Sequence, residues 1–363
     1  MPLSAVGGAD VATCSTSALA VGSDTITATY SGDATYGGSS GGLTQSVTGA
    51  GVVLSPPSTT TTTPSPAEPA AVSVGRVAGA DRVATAVAAS EQAHPASHSV
   101  STVVLARSDA FADALAGVPL AVARNAPLLL TSPNNLDPRT RAEINRVLIP
   151  GGTIDVLGGP LAISDSTVAA LTQAGYKVVR IAGADRYATA VAIANTLGDP
   201  SSVFEVTGTN YADALPAAAA AAHIGGAILL TDGATQAPAT AAYLASHPTE
   251  TRWGVGKPAA TADPKANPLM GPNRYATAVA VAQQFFPAPT AVSLAAGTNF
   301  PDGLVGAADP PDHPMLLVDP GGGDLGVLTA YLAANSHTIT TLTIYGGTYS
   351  IPPGIATELT NSA

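Results

Sequence analysis

Arg82, Arg186 and Arg274 each follow an acid or an amide and open nearly the same phrase: "AGADRVATAVA" at 78–88, "IAGADRYATAVAIA" at 181–194 and "GPNRYATAVAVA" at 271–282. The residue before each arginine, Asp81, Asp185 or Asn273, stands directly ahead of an apolar-periodic run. A short polar side chain there caps a helix and stabilises it by about 1 kcal/mol. The arginine then falls in the first helical turn, where the dipole disfavours a cation, so an anionic partner is expected. Two partners fit. One is the aspartate of "FADAL", "YADAL" and "FPDGL", that is Asp113, Asp213 or Asp302, in supporting ion pairs within or between units. The other is a phosphate or carboxylate on a polymer, which a guanidinium holds with a bidentate fork. The two readings are compatible.

The elements that would carry these groups alternate. In the first unit the strand-like runs are "SVGRVAG", "STVVLA", "APLLLT" and "TIDVLGG", and helical segments such as "DRVATAVAASEQA" and "FADALAGVPLAVARN" lie between them. Strands apolar on both faces and separated by helices predict a parallel sheet covered on each side. All strand-to-helix loops of such a sheet emerge along one rim, which brings each arginine and aspartate to the same edge. "KVVRIAG" opens the second unit, and the landmarks recur in order: "PLLLT", "AILLT" and "PMLLV", then "VLGGP", "GVGKP" and "IYGGT". The second unit has "PAATADPKANP" where the first has "SDSTVAALTQAGYKVV", so its last helix should be largely lost. In the third, "DPPDHP" follows the aspartate motif and predicts a short helix.

Four landmarks in fixed order, three times over, resemble the cell wall-binding repeat 2 family of Gram-positive surface proteins, across residues 74–363. The resemblance implies a noncovalent anchor, secreted and held at the cell surface, that binds an anionic secondary wall polymer without catalysis or cofactor. It also implies that three repeats group about a pseudo-threefold axis in one chain, with no second subunit needed. It places ligand attachment at the arginines and at the "LL" element, Leu129, Leu130, Leu229, Leu230, Leu316 and Leu317. Core packing of a buried strand accounts for those leucines equally well. Three weak sites on one chain would gain avidity for a repetitive polymer, by about 10²–10⁴ over a single site.

The fold class expected is therefore α/β, three tandem parallel-sheet units, with a partial all-β segment in front. The expected divisions are 1–50, 51–73, 74–180, 181–266 and 267–363. In the first, "GSDTITATYSGDATYGGSSGGLTQSVT" alternates Ile26, Ala28 and Tyr30 with polar residues and turns at Ser31-Gly32-Asp33, predicting antiparallel strands. It resembles the last strands of a bacterial immunoglobulin-like repeat, about half of one such sandwich. The second division holds "SPPSTTTTTPSPAEPAA", a spacer that cannot pack a core.

Composition narrows the functional classes. The 363 residues carry a net charge of −11 with Lys177, Lys257 and Lys265 as the only lysines, which argues against nucleic acid as a partner. Hydrophobic residues make up 46% and charged residues 11%, with mean hydropathy +0.28, so a large alanine and valine core is expected. No apolar run reaches the roughly 18 residues of a membrane span. Cys14 alone forms no intrachain disulfide or cysteine-rich metal site, and Met1-Pro-Leu-Ser shows no secretory signal. His94, His98, His223, His247, His313 and His337 lack metal-ligand spacing. Gly321 to Gly326 spells G-x-G-x-x-G, but "TTLTIYGG" after it offers no acid for a ribose. A peptidoglycan hydrolase or other α/β enzyme, and a protein-binding adhesin, remain alternatives; three similar aspartates suit catalysis poorly, because a reaction needs one asymmetric constellation.

Overall fold

The computed structural model describes residues 4–6, 9–11, 22–30, 39–47, 72–198, 200–308 and 312–363, in two compact units, 1–67 and 68–363. In the first unit β1 (Ser4–Val6) pairs antiparallel with β2 (Ala9–Val11). There β3 (Gly22–Tyr30) pairs antiparallel with β4 (Ser39–Val47) in unbroken register from Gly22↔Val47 to Tyr30↔Ser39. Cys14, the Ser31-Gly32-Asp33 turn and the Thr/Pro tract as far as residue 71 lie outside the described residues.

The second unit holds the three repeats. The first contains β5 (Ser73–Val77), α1 (Arg82–Ala93), β6 (Val100–Arg107), α2 (Ala112–Ala123), β7 (Leu128–Thr131), α3 (Pro138–Val147), β8 (Leu148–Leu157) and α4 (Asp165–Gln173). The next runs β9 (Lys177–Ile181), α5 (Arg186–Leu197), β10 (Ser202–Thr207), α6 (Ala214–Ile224), β11 (Ala227–Thr231), α7 (Pro238–Ser246), β12 (Thr251–Val255) and α8 (Lys257–Ala262). The last runs β13 (Asn267–Leu269), α9 (Arg274–Phe285), β14 (Ala291–Ala296), α10 (Pro301–Ala308), β15 (Met315–Val318), α11 (Gly326–Ala334), β16 (Thr341–Tyr345) and α12 (Pro353–Ser362). The two expected truncations are present: α8 has 6 residues against 9 in α4, and α10 has 8 against 12 in α2.

Each repeat builds a four-stranded parallel sheet, but not from its own four strands. The orders are β7-β6-β8-β9, β11-β10-β12-β13 and β15-β14-β16-β5. The first strand of every repeat thus belongs to the preceding sheet, and β5 completes the third one, in register with β16 from Thr341↔Ser73 to Tyr345↔Val77. "SVGRVAG" was expected in the first sheet and lies in the third. The physical reason is that β8, β12 and β16 each have an edge whose backbone groups need a partner. A strand handed back from the following repeat satisfies that edge while its helix covers the next sheet, so the chain crosses every junction.

Helices α2, α6 and α10 pack against one another at the centre, and α2 packs on α5, α6 on α9 and α10 on α1. The same cyclic relation therefore holds at all three junctions. The central helices bury nearly every residue, including the six consecutive alanines of α6. Small side chains let three helices share one axis, and this is where the alanine-rich composition is used.

Candidate functional site

The phrase around each arginine reads as one local device. The aspartate or asparagine caps the helix: Asp81 Oδ1 accepts from the N–H groups of Val83 and Ala84, Asp185 Oδ1 from Ala188 and Asn273 Oδ1 from Ala276. For Asp81 these bonds, the one from Ala84 first, hold the carboxyl below its ordinary pKa. The glycine two residues ahead of the cap donates its N–H to the threonine of the phrase, Gly79 to Thr85, Gly183 to Thr189 and Gly271 to Thr277, each at 3.1 Å. A Cβ on any of these glycines would collide with the helix backbone at the residue before that threonine.

The arginines follow the same rule. Nη1 of Arg82 donates to Ser108 O at 2.7 Å, that of Arg186 to Gly208 O at 2.6 Å and that of Arg274 to Gly297 O at 2.5 Å, each carbonyl lying just past the second strand of the same repeat. Their planes lie over rings of the preceding repeat: Arg186 over Phe111 and Arg274 over Tyr211 at 5.9 Å, and Arg82 over Phe300 at 5.3 Å. Phe111, Tyr211 and Phe300 meet edge to face or tilted, with centroids 6.0, 6.1 and 5.9 Å apart, at the N-terminal ends of the three central helices. All three rings are half-buried, Arg82 and Arg274 are half-buried, and Arg186 is exposed.

The sequence singled out the arginines but not the rings beneath them. The signal was available: an aromatic residue stands two positions before each aspartate of "FADAL", "YADAL" and "FPDGL". Arg76 and Arg180 were also missed, although each precedes the phrase arginine of its repeat by six positions. Arg180 donates to Gly158 O and Ile163 O, both at 2.8 Å, and Arg76 to Gly346 O at 2.7 Å and Ile351 O at 3.1 Å, across the seams between repeats.

Two expectations are corrected. Among the described residues, Asp113, Asp213 and Asp302 form no ion pair with Arg82, Arg186 or Arg274. The aspartates point instead at the first glycine after the third sheet strand of their own repeat. Gly158, Gly256 and Gly346 have φ of +88°, +80° and +104°, and a Cβ there would strike the Oδ2 atom of Asp113, Asp213 and Asp302 respectively. Burial pushes the Asp113 and Asp213 carboxyls upward. Asp113 is pulled back by Arg107 of its own repeat and by Arg186 of the following one, and Asp213 by the Thr277 hydroxyl and Arg274, both of the following repeat. The second correction concerns the leucines. Leu129, Leu130, Leu229, Leu230, Leu316 and Leu317 are at most 1% exposed. They sit on edge strands whose faces are closed by helices on both sides, so their side chains offer no surface to a polymer.

The glycine-rich loop at 321–326 is occupied by the chain's own anion. Asp319 accepts from the N–H groups of Gly321 and Asp324 at 3.1 Å, where a nucleotide phosphate would otherwise sit. No group of three or more His, Cys, Asp or Glu side chains suited to a metal occurs among the described residues, and no described helix is long and apolar enough to cross a membrane.

Comparison with known proteins agrees with the triplication. The profile of Cell wall binding domain 2 (CWB2) matches residues 76–168, 180–260 and 269–356. N-acetylmuramoyl-L-alanine amidase LytC of Bacillus subtilis (strain 168) is 28% identical over 295 residues, which is 80% of this chain and 58% of LytC; the match runs through the binding repeats. The amidase enhancer of the same organism is 38% identical over 157 residues, 43% of this chain and 21% of the relative. Among solved structures, Cwp8 from Clostridium difficile superposes with a TM-score of 0.71 at 25% identity, over 80% of this chain and 52% of Cwp8. Cwp6 from the same organism shares the fold, with a TM-score of 0.72 at 22% identity over 88% of this chain and 52% of Cwp6. The chain thus spans about half the length of these structures and less than two thirds of the curated relatives. With three repeats matched across most of its length, the chain belongs to the Cell wall binding domain 2 family, whose members bind the cell wall.

Proposed function

We propose that the repeats anchor a surface protein outside the cell by gripping an anionic secondary wall polymer along the face that carries Arg82, Arg186 and Arg274. The observation that supports this is the threefold arginine-on-aromatic arrangement. Each guanidinium is oriented by one bond to a backbone carbonyl and by the ring below it, and no ion pair among the described residues neutralises it. A cation held in place and in no ion pair keeps N–H groups for a phosphate or carboxylate. In this reading the residues before the repeats are part of an immunoglobulin-like module, in keeping with the antiparallel pairing of β3 and β4.

The test is co-sedimentation of the purified chain with isolated Gram-positive walls, before and after extraction of anionic polymer. Arg82→Ala, Arg186→Ala and Arg274→Ala should each weaken pelleting, and the triple variant should lose the avidity gain of about 10²-fold or more. Undiminished pelleting by a folded triple variant, or equal pelleting with stripped walls, would refute the reading. Release of soluble wall fragments by the chain would favour a hydrolase instead.

A further inference from the structure

The three aspartates of the central helices are equivalent by repeat, yet their surroundings differ. Asp302 accepts from Ser350 Oγ at 2.9 Å. The Thr277 hydroxyl approaches Asp213 and pulls its pKa down. Asp113 has neither. Ala162 stands four residues after Gly158, as Ser350 stands four after Gly346, so the hydroxyl is missing from the first repeat. Among the described residues no donor hydrogen-bonds Asp113, whose surroundings act on it only through burial and the charges of Arg107 and Arg186.

Asp113 also faces open space. It lines a cleft of about 300 Å³ between the first and second repeats, bounded by Arg107, Leu161, Ala162, Arg186 and Thr189. That volume lies at the small end of ligand sites, enough for a ring-sized unit. Leu161 stands at the lip with 91% of its surface exposed, an apolar face beside polar groups. The charges decide the ligand chemistry. Arg107 is tied to Asp109 by bonds of 2.6 and 2.8 Å, and the lining sets Asp113 and Asp185 against Arg107 and Arg186, so the cleft's interior carries no excess positive charge for a bare phosphate although Arg186 is in no ion pair among the described residues. An unpaired carboxylate calls for hydroxyl donors, and Arg186 keeps N–H groups for an acceptor oxygen.

We propose that this cleft is a sugar subsite: it takes one neutral, hydroxyl-bearing sugar unit of the wall polymer, with a hydroxyl donating to Asp113, an oxygen accepting from Arg186 and the ring's C–H face against Leu161. The inference rests on the anchoring reading and adds to it a site at this junction, where the aspartate is free of the hydroxyl partners that engage Asp213 and Asp302.

Ala162→Ser tests it by supplying the internal hydroxyl that Ser350 gives Asp302. Asp113→Asn weakens the same acceptor. With the full chain, isolated walls and quantitative pelleting, both variants should bind about tenfold more weakly, as expected for a lost hydrogen bond to a charged group. Ala162→Ser should melt at or above the wild-type temperature, so its loss of binding cannot come from unfolding. If Ala162→Ser raises the melting temperature while both variants pellet within twofold of wild type, Asp113 is only structural and the subsite is refuted. If the wild-type chain pellets equally with stripped walls, the anchoring reading fails, and the subsite fails with it.

Discussion

The seams on either side of the first repeat are built differently from the seam between the second and third. Arg180 and Arg76 each lock a donated strand onto the loop of the preceding sheet with two hydrogen bonds to carbonyls. The equivalent position in β13 is Pro268, which pairs opposite Gly254 as Arg180 pairs opposite Val156. There the donated strand shrinks from 5 residues to 3. One seam thus relies on helix packing and a short strand, while two add charged hydrogen bonds. Fold symmetry therefore does not imply equal strength: the ring should open first between the second and third repeats.

The severest break is at the strand that closes the ring. β9 and β13 each follow the helix that precedes them in the sheet they join, whereas β5 comes from more than 260 residues earlier in the chain and meets the third sheet through its pairing with β16 and the bonds of Arg76. Deleting residues 72–78 should strip an edge from the third sheet and both bonds of Arg76, each worth about 1.5–3 kcal/mol. We expect a loss exceeding about 3 kcal/mol in urea unfolding, with amide exchange accelerated first in β16. Protection of β16 equal to that of β8 after the deletion would show that the closing strand is dispensable.

Next in size is Arg180→Ala, which leaves the carbonyls of Gly158 and Ile163 without this donor and should cost about 2 kcal/mol. It turns a strong seam into a copy of the weak one. The reverse change, Pro268→Arg, should gain less than about 1 kcal/mol, because the short strand offers little to hold the new side chain. Thermal unfolding of both variants sharpens the comparison, and a larger effect at Pro268 than at Arg180 would invert it.

The second repeat also carries a buried acid beside its weak seam. Glu205 occupies the position of Leu105 and Leu294 and is fully buried. Burial, reinforced by the neighbouring Asp263 carboxylate and opposed by the Gln236 amide, pushes its pKa up to about 7. Because the folded value lies above the unfolded one, no penalty exists below about pH 4.5; it grows as pH rises toward 7 and is complete above that. Its full size is about 3 kcal/mol. Glu205→Leu should therefore gain stability over wild type by about that much more at pH 8 than at pH 4, measured by urea unfolding. A difference independent of pH would mean the carboxyl is ionised in the folded protein.

Much of this architecture was readable in the sequence, because repetition isolates what each position must do. The caps at Asp81, Asp185 and Asn273, the truncated α8 and α10, and the parallel sheets follow from local rules of capping, proline and periodicity. What stayed hidden is relational. Nothing within "SVGRVAG" says that its partner is β16, more than 260 residues away. The arginines were expected to share a rim with the aspartates of their own repeats and to pair with aspartates within or between units. Strand donation shifts each arginine by one sheet, onto the ring of the repeat before it, and brings Arg186 and Arg274 toward that repeat's aspartate. The leucine pairs look alike whether a strand is central or at an edge, because helices cover both faces in either case.

The smallest effect addresses why the third phrase carries an amide. Arg139 Nη1 reaches both carboxylate oxygens of the first cap, Asp81, at 2.9 Å. In the third repeat the cap meets an acid instead: Asn273 Nδ2 donates to Asp324 Oδ1 at 3.1 Å. Asn273→Asp would keep the cap, since asparagine and aspartate serve about equally there, but would set two carboxylates against each other. The dipole returns about 0.3–1 kcal/mol, so the net loss should be near 0.5 kcal/mol at low salt and should vanish toward 1 M salt, where the screening length falls to about 3 Å. Asp324→Asn in the same chain should restore stability, because the repulsion requires both charges. If Asn273→Asp destabilises equally at all salt concentrations, and does so whether or not Asp324→Asn accompanies it, geometry rather than charge selected the amide.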